Sequence, residues 1–273
     1  MINKVVRVIT VASGKGGVGK TTIASNLGVT LQKFFDQNTL IIDANVTTAH
    51  LGFFFDLIYF PYSLNDILME KREFEKSVYL HPFSGVSVLP ASTDLQDILK
   101  TDLKKFEKVI EKAKKKYDII LIDSAPGFGK EAMTALLACD EVLIVTTPDI
   151  SSLEDVKRLV YIANQLKKKI LGIVINRSKK TLYQLSKKEV EEYVRIKSLV
   201  EIPELDIFQK SLFLKTPAVL LEEPYVTETF KFLAARILNL PYSPKYYKSI
   251  GEFFKQKFKS FQQDLLLFLK RFR

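Results

Sequence analysis

The stretch VASGKGGVGKTT, Val11 to Thr22, places four glycines and two lysines between Ser13 and Thr22. A glycine turn that only joined two elements would explain the flexibility. It would not explain two like charges held close together, which call for an anion. The stretch follows a β-branched run, VVRVITVA from Val5, and precedes a helical spacing of Ile23, Leu27, Leu31 and Phe34. That strand-to-helix context is the one a phosphate-binding loop requires. Gly14, four residues, then Gly19-Lys20-Thr21 completes the pattern G-x-x-x-x-G-K-[ST]. Glycines let successive backbone N–H groups turn inward around phosphate oxygens. Lys20 adds a cation at the outer phosphates, and the Thr21 hydroxyl at the helix N-terminus can ligate Mg²⁺.

Outward from the loop, the chain alternates two periodicities. Short runs read as strands: TLIIDA from Thr39, VSVLPA from Val86, DIILIDSA from Asp118, EVLIVTTP from Glu141, KILGIVIN from Lys169 and LVEIPE from Leu199. Several are apolar throughout, as strands buried on both faces should be. Between them lie segments of helical spacing, such as Leu103, Phe106, Val109, Ile110, Ala113 and Tyr117, whose intervening lysines form a solvated face. The alternation predicts an α/β fold with a doubly wound, mainly parallel sheet of about seven strands, helices on both faces and ligand at the strands' carboxyl ends. The expected division is a domain over residues 1–240, a proline-containing linker over 241–248 and a basic amphipathic helix over 249–273.

The 273 residues are 47% hydrophobic, enough for a large core. Cys139 is the single cysteine, which excludes a disulfide framework and a cysteine-built metal site in one chain. No run approaches the roughly 18 apolar residues of a spanning helix, and the expected localisation is cytoplasmic. The formal net charge of +10 points to acidic partners.

The pattern Lys15-Gly16-Gly17-Val18-Gly19-Lys20-Thr21-Thr22 goes beyond the general loop and resembles the deviant Walker A motif of the MinD/ParA family of P-loop ATPases. The resemblance implies ATP and Mg²⁺ as ligands and a homodimer formed with ATP. It also implies that Lys15 reaches the partner's phosphates, where a cation stabilises developing phosphoryl charge. LIIDA, ending near Asp43, is similar to the family's switch I, and IILIDSAPG, Ile119 to Gly127, to its switch II. By that match Asp123 holds Mg²⁺ through water, Asp43 touches the magnesium water shell and Gly127 swings toward the outer phosphate. Asn176 would read the adenine edge, with Arg177 and Pro203 beside the base.

One position departs from the family. Many relatives carry Asp-x-Asp in switch I, where this chain reads Asp43-Ala44-Asn45. An amide can hydrogen-bond the attacking water but cannot take its proton, so the expectation is a slow ATPase that Asn45→Asp would speed up.

The tail is the second informative region. On a helix, Ile250, Phe254, Phe258, Phe261, Leu265, Phe268, Leu269 and Phe272 fall within an arc of about 100°. From Lys245 to Arg273, eight basic residues stand against Glu252 and Asp264, a net +6. Rings beside cations suit an anionic membrane surface, as in the short membrane-targeting helix with which MinD proteins end. The same stripe would also suit docking on the chain's own core or on a partner helix, and a regulatory protein is a further expected partner. A further apolar run, LGFFFDLIYFPY from Leu51 to Tyr62, reads either as core or as a partner surface. The resulting expectation is a MinD-type switch, peripherally associated with membrane for spatial positioning or cell division. The alternatives are a ParA-like ATPase that binds DNA, with nucleic acid less favoured, and a non-hydrolytic scaffold that recruits a protein. Iron–sulfur relatives of this fold need cysteines that the chain lacks.

Overall fold

The computed structural model describes residues 5–179, 181 and 183–244. The tail 249–273 and the second half of the linker before it lie outside the described residues.

In chain order the elements are β1 (Arg7–Ala12), α1 (Lys20–Phe35), β2 (Thr39–Asp43), α2 (Leu64–Leu68), β3 (Tyr79–Leu80) and β4 (Ser87–Leu89). Next come α3 (Leu95–Lys100), α4 (Phe106–Lys114), β5 (Ile119–Asp123), α5 (Lys130–Ala138), β6 (Glu141–Thr146) and α6 (Ile150–Gln165). The last are β7 (Lys169–Ser178), α7 (Lys187–Val194), β8 (Ser198–Pro203), α8 (Asp206–Phe213) and α9 (Pro224–Ile237). The sheet order is β3-β4-β2-β5-β1-β6-β7-β8, with every pair parallel except β3 with β4.

The α/β class and the mainly parallel sheet of about seven strands match the sequence reading: the sheet has eight strands among the described residues. The additional strand, β3, is two residues long and leaves Leu80 exposed, so no alternating run marks it. The remaining seven lie on the runs read as strands.

Central strands are buried almost throughout, and their middle positions are apolar on both faces because layers on both sides cover them. Ile120 and Ile122 of β5 pack with Val109, Ile110 and Leu136 on one face. Ile119 and Leu121 pack with Ile23, Leu27 and Phe230 on the other. In α4, Phe106, Val109, Ile110 and Ala113 are buried while Lys108 and Lys112 face solvent, as the spacing required. The Leu51–Tyr62 run divides: Leu51, Phe54 and Phe55 enter the core, whereas Tyr59 is 95% exposed.

The strand order reverses at β1, which lies between β5 and β6. In doubly wound sheets the crevice at such a switch point is the ligand position. The loop 13–19 leaves β1 there and runs straight into α1, whose first turn carries no acidic residue and no side-chain cap. The first N–H groups of that helix are thus left for a ligand.

Candidate functional site

The loop is shaped by glycines whose replacement the surroundings forbid. Gly19 closes it at φ +99°, and a Cβ there would lie 2.3 Å from Asn176 Nδ2. At Gly14 a Cβ would lie 2.3 Å from the Asp155 Cβ, so α6 approaches the loop as closely as a bare backbone allows. Gly16 and Gly17 are exposed at the rim and Val18 is buried beneath them. Asn176, 5% exposed at the end of β7, donates from Nδ2 to the Val18 carbonyl at 2.7 Å. It therefore buttresses the loop directly, and that bond engages the amide nitrogen which the resemblance assigns to the adenine edge.

The two lysines lead different lives. Lys20 is 7% exposed and its Nζ donates to Ser13 Oγ at 2.8 Å, while the Ser13 hydroxyl donates to the Lys15 carbonyl. Burial pulls the Lys20 ammonium below its ordinary value, and the charge of Asp123 works against that pull. Lys15 lies outside: its Nζ is 3.0 Å from Ser151 Oγ and 3.5 Å from the Asp149 carboxylate, with nearly half its side chain in solvent. Asp149 caps α6 and accepts from Thr147, Ser151 and both donors of Ser152. Burial pushes its pKa up, but these hydrogen bonds outweigh burial and hold the carboxyl well below the usual range. Sequence reasoning missed Asp149 and Ser151. An Asp one residue before a helical run is a legible cap signal, but nothing local pairs it with a lysine 134 residues earlier.

Asp43 and Asp123 sit opposite one another at the ends of β2 and β5. Both are 1% exposed. Burial, reinforced by the Asp123 charge, pushes Asp43 up to about 8. Burial raises Asp123 to about 6, against the Thr21 hydroxyl and the Lys20 charge. Asp123 Oδ1 is buried and has no hydrogen-bond partner among the described residues. An orphaned carboxylate oxygen beside a threonine hydroxyl fits a hard cation. No group of three or more His, Cys, Asp or Glu that could hold a metal ion occurs among the described residues.

Asp43 also has a structural task that the sequence did not show. It accepts from the backbone N–H groups of Asn45, His50 and Leu51 at 3.0–3.1 Å, pinning both ends of the segment that follows β2. Asn45 donates from Nδ2 to the Thr48 carbonyl and accepts from the Thr48 hydroxyl, so its amide is turned onto its own loop. Gly127, at φ +77°, donates its N–H to the Ser13 carbonyl at 3.0 Å, tying the β5–α5 turn to the phosphate loop. Thr22 lies in the first turn of α1. Arg177 and Pro203 lie at the carboxyl ends of β7 and β8, Arg177 exposed and Pro203 buried.

This arrangement can hold a polyphosphate: a backbone cradle, one buried and one outlying cation, and a hydroxyl–carboxylate pair for a hard metal. A family model described as an AAA domain matches residues 6–177. An uncharacterized ATP-binding protein of Methanocaldococcus jannaschii is 30% identical over 254 residues, which cover 93% of this chain and 96% of that protein. The cell division ATPase MinD of Pyrococcus furiosus has a TM-score of 0.83 at 33% identity, over 87% of this chain and 100% of that one. The septum site-determining protein MinD of Pyrococcus horikoshii, solved with Mg-ADP, has a TM-score of 0.82 at 31% identity, over 85% and 96% of the two chains.

Proposed function

The chain belongs to the MinD/ParA family of P-loop ATPases, and from that premise we propose that it is an ATP-driven dimerisation switch which turns over slowly and binds membrane when loaded. The observation that carries the reading is the position of Lys15. It stands at the loop's outer edge, held by an exposed ion pair to Asp149 and an exposed hydrogen bond to Ser151, where a second copy can reach it. Exposed pairs of this kind hold by about 0–1 kcal/mol, so little opposes its transfer to a neighbouring phosphate.

In this reading the N–H groups of Gly14 to Thr22 cradle the phosphates and Lys20 neutralises the outer ones. The Thr21 hydroxyl and, through water, Asp123 hold magnesium, which when bound draws charge from the phosphate oxygens. Lys15 from the second copy adds a cation at the phosphoryl group in flight. Asn45 orients water without accepting its proton, which makes turnover slow. Asn176, Arg177 and Pro203 border the base. No helix among the described residues is long and apolar enough to cross a membrane. The membrane contact is assigned to residues 249–273, which lie outside the described residues. One such segment binds weakly, whereas two on one dimer act together and raise affinity by effective concentration.

Co-sedimentation with anionic liposomes under ATP, ADP and no nucleotide tests this. Pelleting should need ATP and should vanish for a chain ending at Tyr247. Pelleting that survives the truncation removes the tail from the account, and ATP-dependent retention on DNA alone replaces membrane with nucleic acid as the target.

A further inference from the structure

We propose that the contact between Thr47 and Glu131 is a latch which holds the switch segments after β2 and β5 in a resting arrangement, and that hydrolysis requires its release. Glu131 is then a positioning residue acting through Thr47. The inference rests on the ATPase reading above.

The segment after β2 is anchored at both ends by Asp43, through the N–H groups of Asn45, His50 and Leu51. Between those anchors Val46 is buried, while Thr47 and Thr48 are exposed. Asn45 and Thr48 close a small ring by two hydrogen bonds of 2.7 and 2.9 Å, which occupies both ends of the amide. The two bonds fix the direction of the amide on its own loop, so it can turn to a water elsewhere only when the ring opens. The ring is held from outside by Glu131. Its Oε2 accepts from the Thr47 hydroxyl at 3.2 Å, and the Thr47 backbone N–H addresses the same carboxylate.

Glu131 stands in the first turn of α5, just past the turn in which Gly127 is bonded to the Ser13 carbonyl. One short segment therefore touches the phosphate loop with its backbone and the switch after β2 with a side chain. Glu131 is half-buried, and burial raises its pKa while the two Thr47 donors lower it. Moving Thr47 away leaves a half-buried carboxylate without those donors, which is what resists opening. Because Thr47 and Thr48 are adjacent, a loop fixed at Thr47 also keeps Asn45 turned inward. Freeing Thr47 frees the amide.

Three measurements on the full chain test the latch: steady-state hydrolysis, ATP affinity, and hydrogen exchange over residues 44–51 without nucleotide. In Glu131→Ala and in Thr47→Val, exchange over that segment should rise several-fold. The kcat should rise about 3- to 10-fold with KM unchanged, as expected for the loss of one ordinary hydrogen bond. Glu131→Gln keeps an acceptor oxygen and should stay within about twofold of wild type, and the double variant should match either single one. Unchanged exchange in Glu131→Ala overturns the latch. So does raised exchange with a lower kcat, because the contact would then serve turnover. A wild-type chain that fails to bind ATP sinks the ATPase reading instead, while the exchange comparison still decides whether Glu131 restrains the loop.

Discussion

The loop after β1 has an inner and an outer end, and its two lysines show what each end is for. Lys20 is buried against Ser13 and Asp123, with its ammonium pulled down by desolvation. Lys15, five residues earlier, keeps nearly half its side chain in water and holds an exposed carboxylate. A buried cation is costly unless something nearby gains from it. In the proposed reading Lys20 serves a ligand bound by its own subunit, while Lys15, held only by exposed contacts with Ser151 and Asp149, is available to a second one. Lys20→Ala should have the largest effect: removing one donor aimed at developing charge lowers kcat by about 10²–10³-fold. Isothermal titration with an ATP analogue should show weakened binding at the same time. A variant that binds and hydrolyses ATP normally would dissolve the contrast between the two lysines.

The carboxylates facing the inner end sharpen the same contrast without any ligand. Asp43, at about 8, and Asp123, at about 6, both lie above the ordinary 3.8, raised first by burial. A group whose pKa is higher folded than unfolded binds more protons in the folded state. The stability it contributes is full below the unfolded value and is lost as pH rises through the folded one. The nucleotide-free chain should therefore lose stability, by roughly several kcal/mol, between about pH 4 and about pH 8. Urea unfolding across that range checks it. Asp43→Asn should flatten the slope, as should magnesium with a nucleotide analogue, which supplies the positive charge the pair lacks. A slope of the opposite sign would mean the three backbone donors on Asp43 outweigh its burial.

The inner end was the more legible in sequence, for a physical reason. Glycine spacing, Lys20, Thr21 and the apolar strands on either side act through neighbours in the chain, so local pattern carries them. Strand β3 escaped because two residues cannot display a period. What surrounds the loop was hidden because it depends on contacts between distant segments. Asn176 meets Val18 across 158 residues and Lys15 meets Ser151 across 136. Gly14 was legible as a loop glycine, whereas the structure adds that Asp155 of α6 leaves no room for a Cβ. Asp43 was read at the right strand end, but the three N–H groups it holds belong to an irregular segment that displays no period. The Asn45 departure was visible, while its bonding to Thr48 was not.

The smallest expected effect belongs to the outer end and separates stability from function most cleanly. Lys15→Ala removes an exposed pair and should change unfolding free energy by less than about 0.5 kcal/mol. Dimerisation with ATP, followed by light scattering on a size-exclusion column, should nevertheless be lost, because no other cation occupies the loop's outer edge between Ser13 and Gly19. Asp149 is not an equivalent handle. It caps α6, so its removal costs about 1 kcal/mol whatever happens to Lys15. If Lys15→Ala unfolds as easily as a core variant, the lysine is a structural partner of Asp149, and the outer end loses its claim to a second subunit. If stability holds and the dimer still forms, the residue is dispensable for pairing, and the opposing charge across the interface must come from elsewhere in the chain.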